Sequence, residues 1–308
     1  MPIHLPPLPP VSRRHFLRGS LAAGVAAMLP RELYAAEKAT DPHTFALLAD
    51  THIALDPKQV TRNTNMADNL AAVGREILAL EKRPAGVFIN GDLAFNRGEV
   101  KDYDVFIDLI KPVREGGVPM HLTLGNHDQR TNFRDHVPGV APSEKAPQPV
   151  EDKQVGIVES PRGNFFLLDS LNETNKTPGK IGEAQLKWLA SALDDRKDKP
   201  AIIMVHHTPD PGHPNTSHGV TDTDALFDVL LPRRQVKAFI YGHSHDFKYT
   251  QIEDIHLINQ PPVAYLFNPR KPNGWLRCTL LEGGAEIELV ALDKKHEDHG
   301  RKVGLRWR

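Results

Sequence analysis

Five short polar motifs, each at the end of an apolar run, constrain this chain more than any other feature. Asp50-Thr51-His52 follows Phe45–Ala49, and Gly91-Asp92 follows Val87–Asn90. Gly125-Asn126-His127-Asp128 follows Met120–Leu124, and His206-His207 closes the run that begins at Ala201. Gly242-His243-Ser244-His245 follows Ala238–Tyr241. Short apolar runs bounded by turn residues read as buried strands, and Asn164–Asp169 adds another. Helix-period segments lie between the runs. Met66–Leu80 places Leu70, Val73, Ile77, Leu78 and Leu80 along its length and is limited by Pro84. Tyr103–Ile110 predicts a second helix, stopped near Pro112, and Glu183–Leu193 a third. The stretch Lys248–Val290 holds strand-like segments with no helix between them. The pattern is that of an α/β protein ending in an antiparallel portion. Val137–Val150, rich in proline and polar residues, predicts an exposed loop.

The residue types at the run ends point to cations. Carboxylate, amide oxygen and imidazole together suit manganese, iron, zinc and related metals. Asp-x-His and His-x-His send two donors to one side of an extended segment, because strand side chains repeat with period two. Glycine before Asp92, Asn126 and His243 lets the backbone turn sharply or approach closely. In open α/β sheets, sites form beyond the carboxyl ends of strands. Each motif alone is weak, since an isolated strand-end histidine is more often hydrogen-bonded structure. Five in series, each after an apolar run, make a site.

The N-terminus carries a different signal. Ser12-Arg13-Arg14-His15-Phe16-Leu17-Arg18 precedes an apolar stretch from Gly19 to Leu29. A basic region followed by a short apolar one reads as a signal peptide and is too short for a membrane span of about 20 residues. The paired arginines followed by Phe-Leu resemble a twin-arginine signal, which implies the twin-arginine export machinery as a partner and a periplasmic or secreted destination. Residues 1–36 are taken as the signal, with the mature start near Glu37. No later stretch is long and apolar enough for a membrane anchor. The single cysteine, Cys278, excludes an intrachain disulfide framework and cysteine-rich metal sites. A net charge of −1 gives no argument for nucleic acid as a partner.

The ordered set Asp-x-His, Gly-Asp, Gly-Asn-His-Asp, His, Gly-His-x-His resembles the signature of the calcineurin-like metallophosphoesterases. Gln185 and Trp188-Leu189, in the helix before the His206 run, match as well. The resemblance implies an α/β four-layer αββα sandwich, two mixed β-sheets flanked by helices, over residues 43–292. It leaves 293–308 as a basic C-terminal tail that includes Lys294, Arg301 and Arg308. It implies two divalent or trivalent transition-metal ions, manganese, iron or zinc. Asp50, His52 and His245 would hold the first, Asn126, His206 and His243 the second, and Asp92 would bridge them together with a hydroxide. His127 would stand beside the scissile bond as proton donor or charge stabiliser, with Asp128 accepting its other ring proton.

The expected activity is hydrolysis of a small-molecule phosphoester. Phe95 stands where purple acid phosphatases carry a metal-binding tyrosine, so a tyrosinate-coloured iron site is not expected. Gly125–Arg130 with Phe133-Arg134, and His206-His207-Thr208-Pro209, resemble the bacterial cyclic-nucleotide and glycerophosphodiester branch. A phosphodiester is therefore the first expectation, with Arg130, Arg134 and His207 as candidate substrate-binding residues. Phosphomonoesters, nucleotide pyrophosphates and phospholipid headgroups remain alternatives, as does a non-catalytic metal-binding module. His213 and His218 fall in a loop that could border the entrance.

Overall fold

The computed structural model of the protein describes residues 4–8, 38–137, 148–212 and 217–307. The twin-arginine segment, most of the Val137–Val150 stretch, His213 and Arg308 lie outside these residues. In chain order the strands are β1 (His4–Leu5), β2 (Thr40–Leu48), β3 (Val60–Thr61), β4 (Thr64–Asn65), β5 (Arg83–Asn90), β6 (Met120–Thr123), β7 (Gly156–Glu159) and β8 (Asn164–Leu167). They continue with β9 (Ala201–Met204), β10 (Val236–Tyr241), β11 (Lys248–Ile252), β12 (Ile255–Asn259), β13 (Gly274–Leu281), β14 (Gly284–Ala291) and β15 (Lys302–Arg306). The helices are α1 (Met66–Ala79), α2 (Val100–Glu115), α3 (Arg130–His136), α4 (Glu183–Asp194) and α5 (Thr223–Leu230).

One sheet has seven strands in the order β1-β6-β5-β2-β13-β14-β15, and the other six in the order β11-β12-β10-β9-β8-β7. The interior strands carry apolar side chains on both faces, which is why they appear in the sequence as continuous apolar runs. In β2, Phe45 and Leu47 face the opposite sheet while Ala46 and Leu48 face the helices. In β9, Ile202 and Met204 enter the inter-sheet core, and Ala201 and Ile203 turn outward. Leu70, Val73 and Ile77 of α1 and Phe106, Ile110 and Val113 of α2 cover the seven-stranded sheet. Leu189 and Leu193 of α4 and Leu226 and Leu230 of α5 cover the six-stranded one. The order helix, sheet, sheet, helix is the four-layer sandwich.

Three details depart from expectation. Helix α2 runs on to Glu115 with Pro112 inside it, because a proline in the last turn removes only one backbone donor there. Helices α3 and α5, of 7 and 8 residues, are not anticipated in the sequence because they are short, although Leu226, Phe227 and Leu230 give α5 a buried apolar face. The last residues are not a free tail. Strand β15 pairs antiparallel with β14, Leu305 is buried and Val303 and Trp307 pack on the inter-sheet core. Alternation at Val303, Leu305 and Trp307 is a strand pattern that the flanking lysines and arginines obscure.

Candidate metal centre

Strands β2, β5 and β6 run parallel, as do β8, β9 and β10. The carboxyl ends of both groups therefore open at one rim of the sandwich. The loops leaving it are strained. Asp50, His52, Asp92, His243 and His245 all have positive φ, at 54°, 46°, 50°, 68° and 52°. Non-glycine residues rarely adopt this region, and such strain persists where surrounding structure enforces it. The enforcement is visible. The amides of Asp50, His52 and Ile53 donate to the carbonyls of Gly91, Asp92 and Leu93 at 3.1, 2.9 and 2.9 Å. Gly125 and Gly242 are needed for a separate reason. A Cβ on Gly125 would lie 2.2 Å from Asp92 Oδ1, and one on Gly242 would lie 2.6 Å from Asp50 Oδ2.

Three overlapping clusters result: Asp50 with His52 and His245, His52 with Asp92 and His127, and Asp92 with His206 and His243. Within each, potential ligand atoms lie within 4.8 Å of one another. Asp92 Oδ2 is 3.6 Å from His52 Nε2 and 3.3 Å from His206 Nε2, and Asp50 Oδ1 is 3.5 Å from His245 Nε2. Asn126 is also buried here, and neither polar atom of its side chain has a hydrogen-bond partner.

The imidazoles are oriented from behind. The Nδ1–H groups of His52, His245 and His206 donate to the carbonyls of Phe95, Tyr265 and Asn90, at 3.2, 2.7 and 2.9 Å. A carbonyl can only accept, so in the neutral ring the Nε2 lone pair faces the centre. His52 and His245 then direct two bare Nε2 atoms at each other across 3.0 Å. Two lone pairs at that distance repel unless positive charge lies near both. Together with the unpartnered Asn126 amide, this donor set fits transition-metal cations, and backbone carbonyls behind histidine ligands are the usual support.

Charge tells the same story. Burial holds His52 well below its ordinary value and pushes His243 down to about 3 and His245 to about 4. Burial also pulls His206 down, but the Asp92 carboxylate outweighs it and raises His206 to about 9. Burial opposes ionisation of Asp92, yet His206, His127 and His52 hold it well below the usual carboxylate range. Burial leaves Asp50 raised to about 7. The centre is built for anionic Asp92 and concentrated positive charge.

A buried amide knot ties the two sheets together beneath the centre. Asn90 Nδ2 donates to the carbonyl of Val205 at 3.0 Å and to Gln260 Oε1 at 2.9 Å, while Asn90 Oδ1 accepts from Thr123 at 2.8 Å. Gln260 Nε2 donates to the carbonyl of Leu48 at 3.1 Å. The ends of β2, β5, β6 and β9 are thus held in register within two residues of Asp50, Asp92 and His206.

Some residues marked in the sequence have other partners. Asp128 does not orient His127. Its carboxylate accepts from the amides of Leu93, Ala94 and Gly125 and from the hydroxyl of Tyr103, at 3.2, 3.1, 2.9 and 3.1 Å. It clasps the loop after β5 to the loop after β6, and His127 Nδ1 instead lies 2.8 Å from the carbonyl of Asn96. Arg130 forms a two-pronged pair with Asp169, at 2.8 and 2.9 Å, and also donates to the carbonyl of Leu171. Arg134 lies 3.8 Å from Asp152. His207 is fully buried against Ser170, 2.7 Å from its hydroxyl. None of these three lines the cavity beside the centre. That cavity, of about 450 Å³, is bounded by His52, Asp92, Asn126, His127, His243 and His245, with Thr177, Thr208, His218, Ser244, Tyr265 and Phe267 completing its wall. Tyr265 and Phe267 belong to the β12–β13 connection, which carries no motif.

Comparison with known proteins agrees with this geometry. Residues 43–247 match the calcineurin-like phosphoesterase family, and residues 10–30 match the twin-arginine translocation signal. The chain belongs to the calcineurin-like phosphoesterase family. It is 27% identical to a probable cyclic nucleotide phosphodiesterase of Colwellia psychrerythraea, over 73% of this chain and 79% of that one. It is 25% identical to a 3',5'-cyclic adenosine monophosphate phosphodiesterase of Pseudomonas aeruginosa, over 72% and 76% respectively. A dimetal phosphatase from Danio rerio shares the fold with a TM-score of 0.64 and 19% identity, over 86% of this chain and 99% of that one. The chain is a metal-dependent phosphoester hydrolase exported by the twin-arginine route. Among the described residues no helix is long and apolar enough to cross a membrane.

Proposed function

We propose that the chain hydrolyses phosphodiesters at a centre of two cations, one held by Asp50, His52 and His245, the other by Asn126, His206 and His243, with Asp92 between them. One observation carries the reading: Asp92 Oδ2 faces His52 Nε2 and His206 Nε2 from opposite clusters, at 3.6 and 3.3 Å. Manganese, iron or zinc there would supply Lewis acidity and lower the pKa of a bound water towards neutrality. The chain's own groups do the rest. His127 borders the cavity with its Nδ1 fixed on the Asn96 carbonyl, so its Nε2 is presented to the ester. As an imidazolium it donates the proton that the leaving oxygen needs. The amide of His127 donates to Asp92 Oδ1 at 2.8 Å, which couples the position of that acid to the carboxylate between the clusters.

The ester groups meet the aromatic wall. Phe267 is half-exposed, stacks on the His245 ring at a centroid distance of 4.4 Å, and lies 5.1 Å from the Arg62 guanidinium. A planar organic group fits that shelf, which agrees with the cyclic-nucleotide activities named for the relatives. Substrate contacts fall to Tyr265, Phe267 and His218, with Arg130, Arg134 and His207 supporting the loops behind them.

The test is to strip the full-length protein with chelator, restore manganese, iron or zinc singly, and count bound metal. Hydrolysis of bis(p-nitrophenyl) phosphate is then compared with that of p-nitrophenyl phosphate. Two metals per chain with preference for the diester is the expected result. Preference for the monoester would overturn the substrate reading, and one metal per chain at full rate would overturn the paired centre.

A further inference from the structure

The chain's first described residues, upstream of the twin arginines, are part of the folded sheet. His4 and Leu5 pair antiparallel with His121 and Met120 of β6, so that β1 is the outer strand there and β6 is the edge of the sheet without it. Leu5 is fully buried in the core beneath α1 and α2. The His4 ring stacks on His121 with centroids 4.7 Å apart. Beyond the strand, Arg114 Nε donates to the carbonyl of Pro6 at 3.2 Å and the amide of Leu8 donates to the carbonyl of Arg114 at 3.0 Å. The contacts include a paired backbone, a filled apolar hole and a side-chain clamp.

The first described residue after the leader, Lys38, is held at the same corner. Lys38 Nζ donates to the carbonyls of Leu78 and Leu80, both at 2.8 Å. Arg83 Nε donates to the carbonyl of Lys38 at 2.7 Å, and its Nη1 to the carbonyl of Gly116, two residues beyond Arg114, at 3.2 Å. The matched export signal, residues 10–30, lies between these anchors.

We propose that the leader of the folded precursor docks through His4–Leu8 as a strand on β6 and closes that sheet edge until the leader is removed. An outer strand presents unpaired amides and carbonyls to any other strand. A peptide that adds to such an edge gains backbone hydrogen bonds, while a buried side chain sets its register. Leu5 fixes the register here. Pro6 and Pro7 have no amide hydrogen, so the added strand ends after Leu5 and cannot itself recruit another. The docked strand can form only when β6, α1 and α2 are already packed, because together they build the Leu5 hole. Release of the leader uncovers the backbone of Met120 and His121 and empties that hole, leaving a strand-accepting edge on the exported form.

The test uses the full-length chain, its Leu5→Asp variant and a variant lacking residues 2–8. Amide hydrogen exchange is read on peptides covering 118–124, with 201–204 of the opposite sheet as internal control. Docking predicts exchange at 118–124 faster by about tenfold or more in both variants, with the control unchanged. A synthetic peptide of residues 1–10 should restore protection to the truncated chain, and the same peptide carrying Leu5→Asp should not. If truncation loosens the whole domain, rescue by the first peptide and failure of the second still support the strand. Equal exchange at 118–124 in all three chains, or rescue by both peptides, overturns it. None of these readouts depends on metal or activity, so they stand apart from the reading of the centre.

Discussion

Two buried histidines, one on each sheet's side of the sandwich, meet opposite outcomes: His206 follows β9 of the six-stranded sheet and His121 lies in β6 of the seven-stranded one. At the carboxyl rim of the strands, His206 is fully buried yet driven up to about 9, because the Asp92 carboxylate outweighs desolvation. At the sheet edge, His121 is almost as buried and is driven down to about 3, because desolvation and the neighbouring His4 act together. Burial alone makes a neutral ring. What distinguishes the rim is that carboxylates were buried with the imidazoles, under backbone strain, where a charged cluster costs stability. A structural histidine such as His121 needs only a ring to stack against, here Phe88 at 4.8 Å. At the rim only His206 follows the carboxylate, since burial still holds His52, His243 and His245 down as it holds His121. The contrast between His206 and His121 can be attacked from either side.

The largest effect is expected at the carboxylate common to both clusters. Asp92→Ala should lower diester turnover by about a thousandfold or more and leave fewer than two metals per chain, measured on protein whose circular dichroism matches the parent. A rate within about tenfold of the parent would remove Asp92 from between the clusters. Asn126→Ala sharpens the same point, since its amide has no partner in the protein to lose. It should cost one metal while leaving the melting temperature of the metal-free chain unchanged.

His127→Ala should reduce kcat by about a hundredfold to ten-thousandfold with two metals retained. The loss should be smaller for esters whose leaving groups need no proton, such as p-nitrophenolate. An equal loss for good and poor leaving groups would show that His127 acts on the phosphoryl group and not on the leaving oxygen.

Beneath the rim, Asn90→Leu should destabilise the metal-free protein by about 3 kcal/mol in denaturant titration. It strips the carbonyl of Val205, Gln260 and Thr123 of their common partner and leaves buried polar groups unsatisfied. Metal affinity should fall with it, because both sheets would lose their register at the site. Full stability in this variant would show that the sheets are aligned by the inter-sheet core alone.

The rim was far more legible in the sequence than the edge, and the physics says why. Ligand types are chemically specific, and period-two spacing with preceding glycines marks where the chain must turn. The motifs holding Asp50, His52, Asp92, Asn126, His206, His243 and His245 could therefore be gathered without coordinates. The ligand roles within them and the four-layer order came from the family resemblance, the apolar runs by themselves giving only an α/β protein with an antiparallel end. Partners set by tertiary contact carried no such mark. Asp128 sits beside His127 in sequence but points back at Gly125 and the β5 loop. Arg130 could face either a substrate phosphate or a neighbouring acid as far as the sequence goes, and only the fold brings up that acid, Asp169, a strand-end residue further along the chain. Phe267 is an ordinary loop aromatic until the β12–β13 connection folds over His245. At the termini, Lys302–Arg306 and His4–Leu5 pair with neighbouring strands, where basic residues and prolines dominate the sequence pattern.

The smallest effect tests the packing side of the contrast. His121 sits at about 3 when folded against about 6.5 when unfolded. Above pH 6.5 the ring is neutral in both states and titration adds nothing. As pH falls below that value the unfolded chain takes up a proton that the folded chain refuses, so stability must decline, by about 1.4 kcal/mol per pH unit until the folded value is approached. His121→Leu removes this slope while every other titrating group stays in both proteins. The difference in unfolding free energy between parent and variant, measured on metal-free protein at pH 7 and again at pH 5.5, should move against the parent by roughly 1 kcal/mol. A shift in the parent's favour would mean that the buried ring is held charged, and His121 would then follow the same rule as His206.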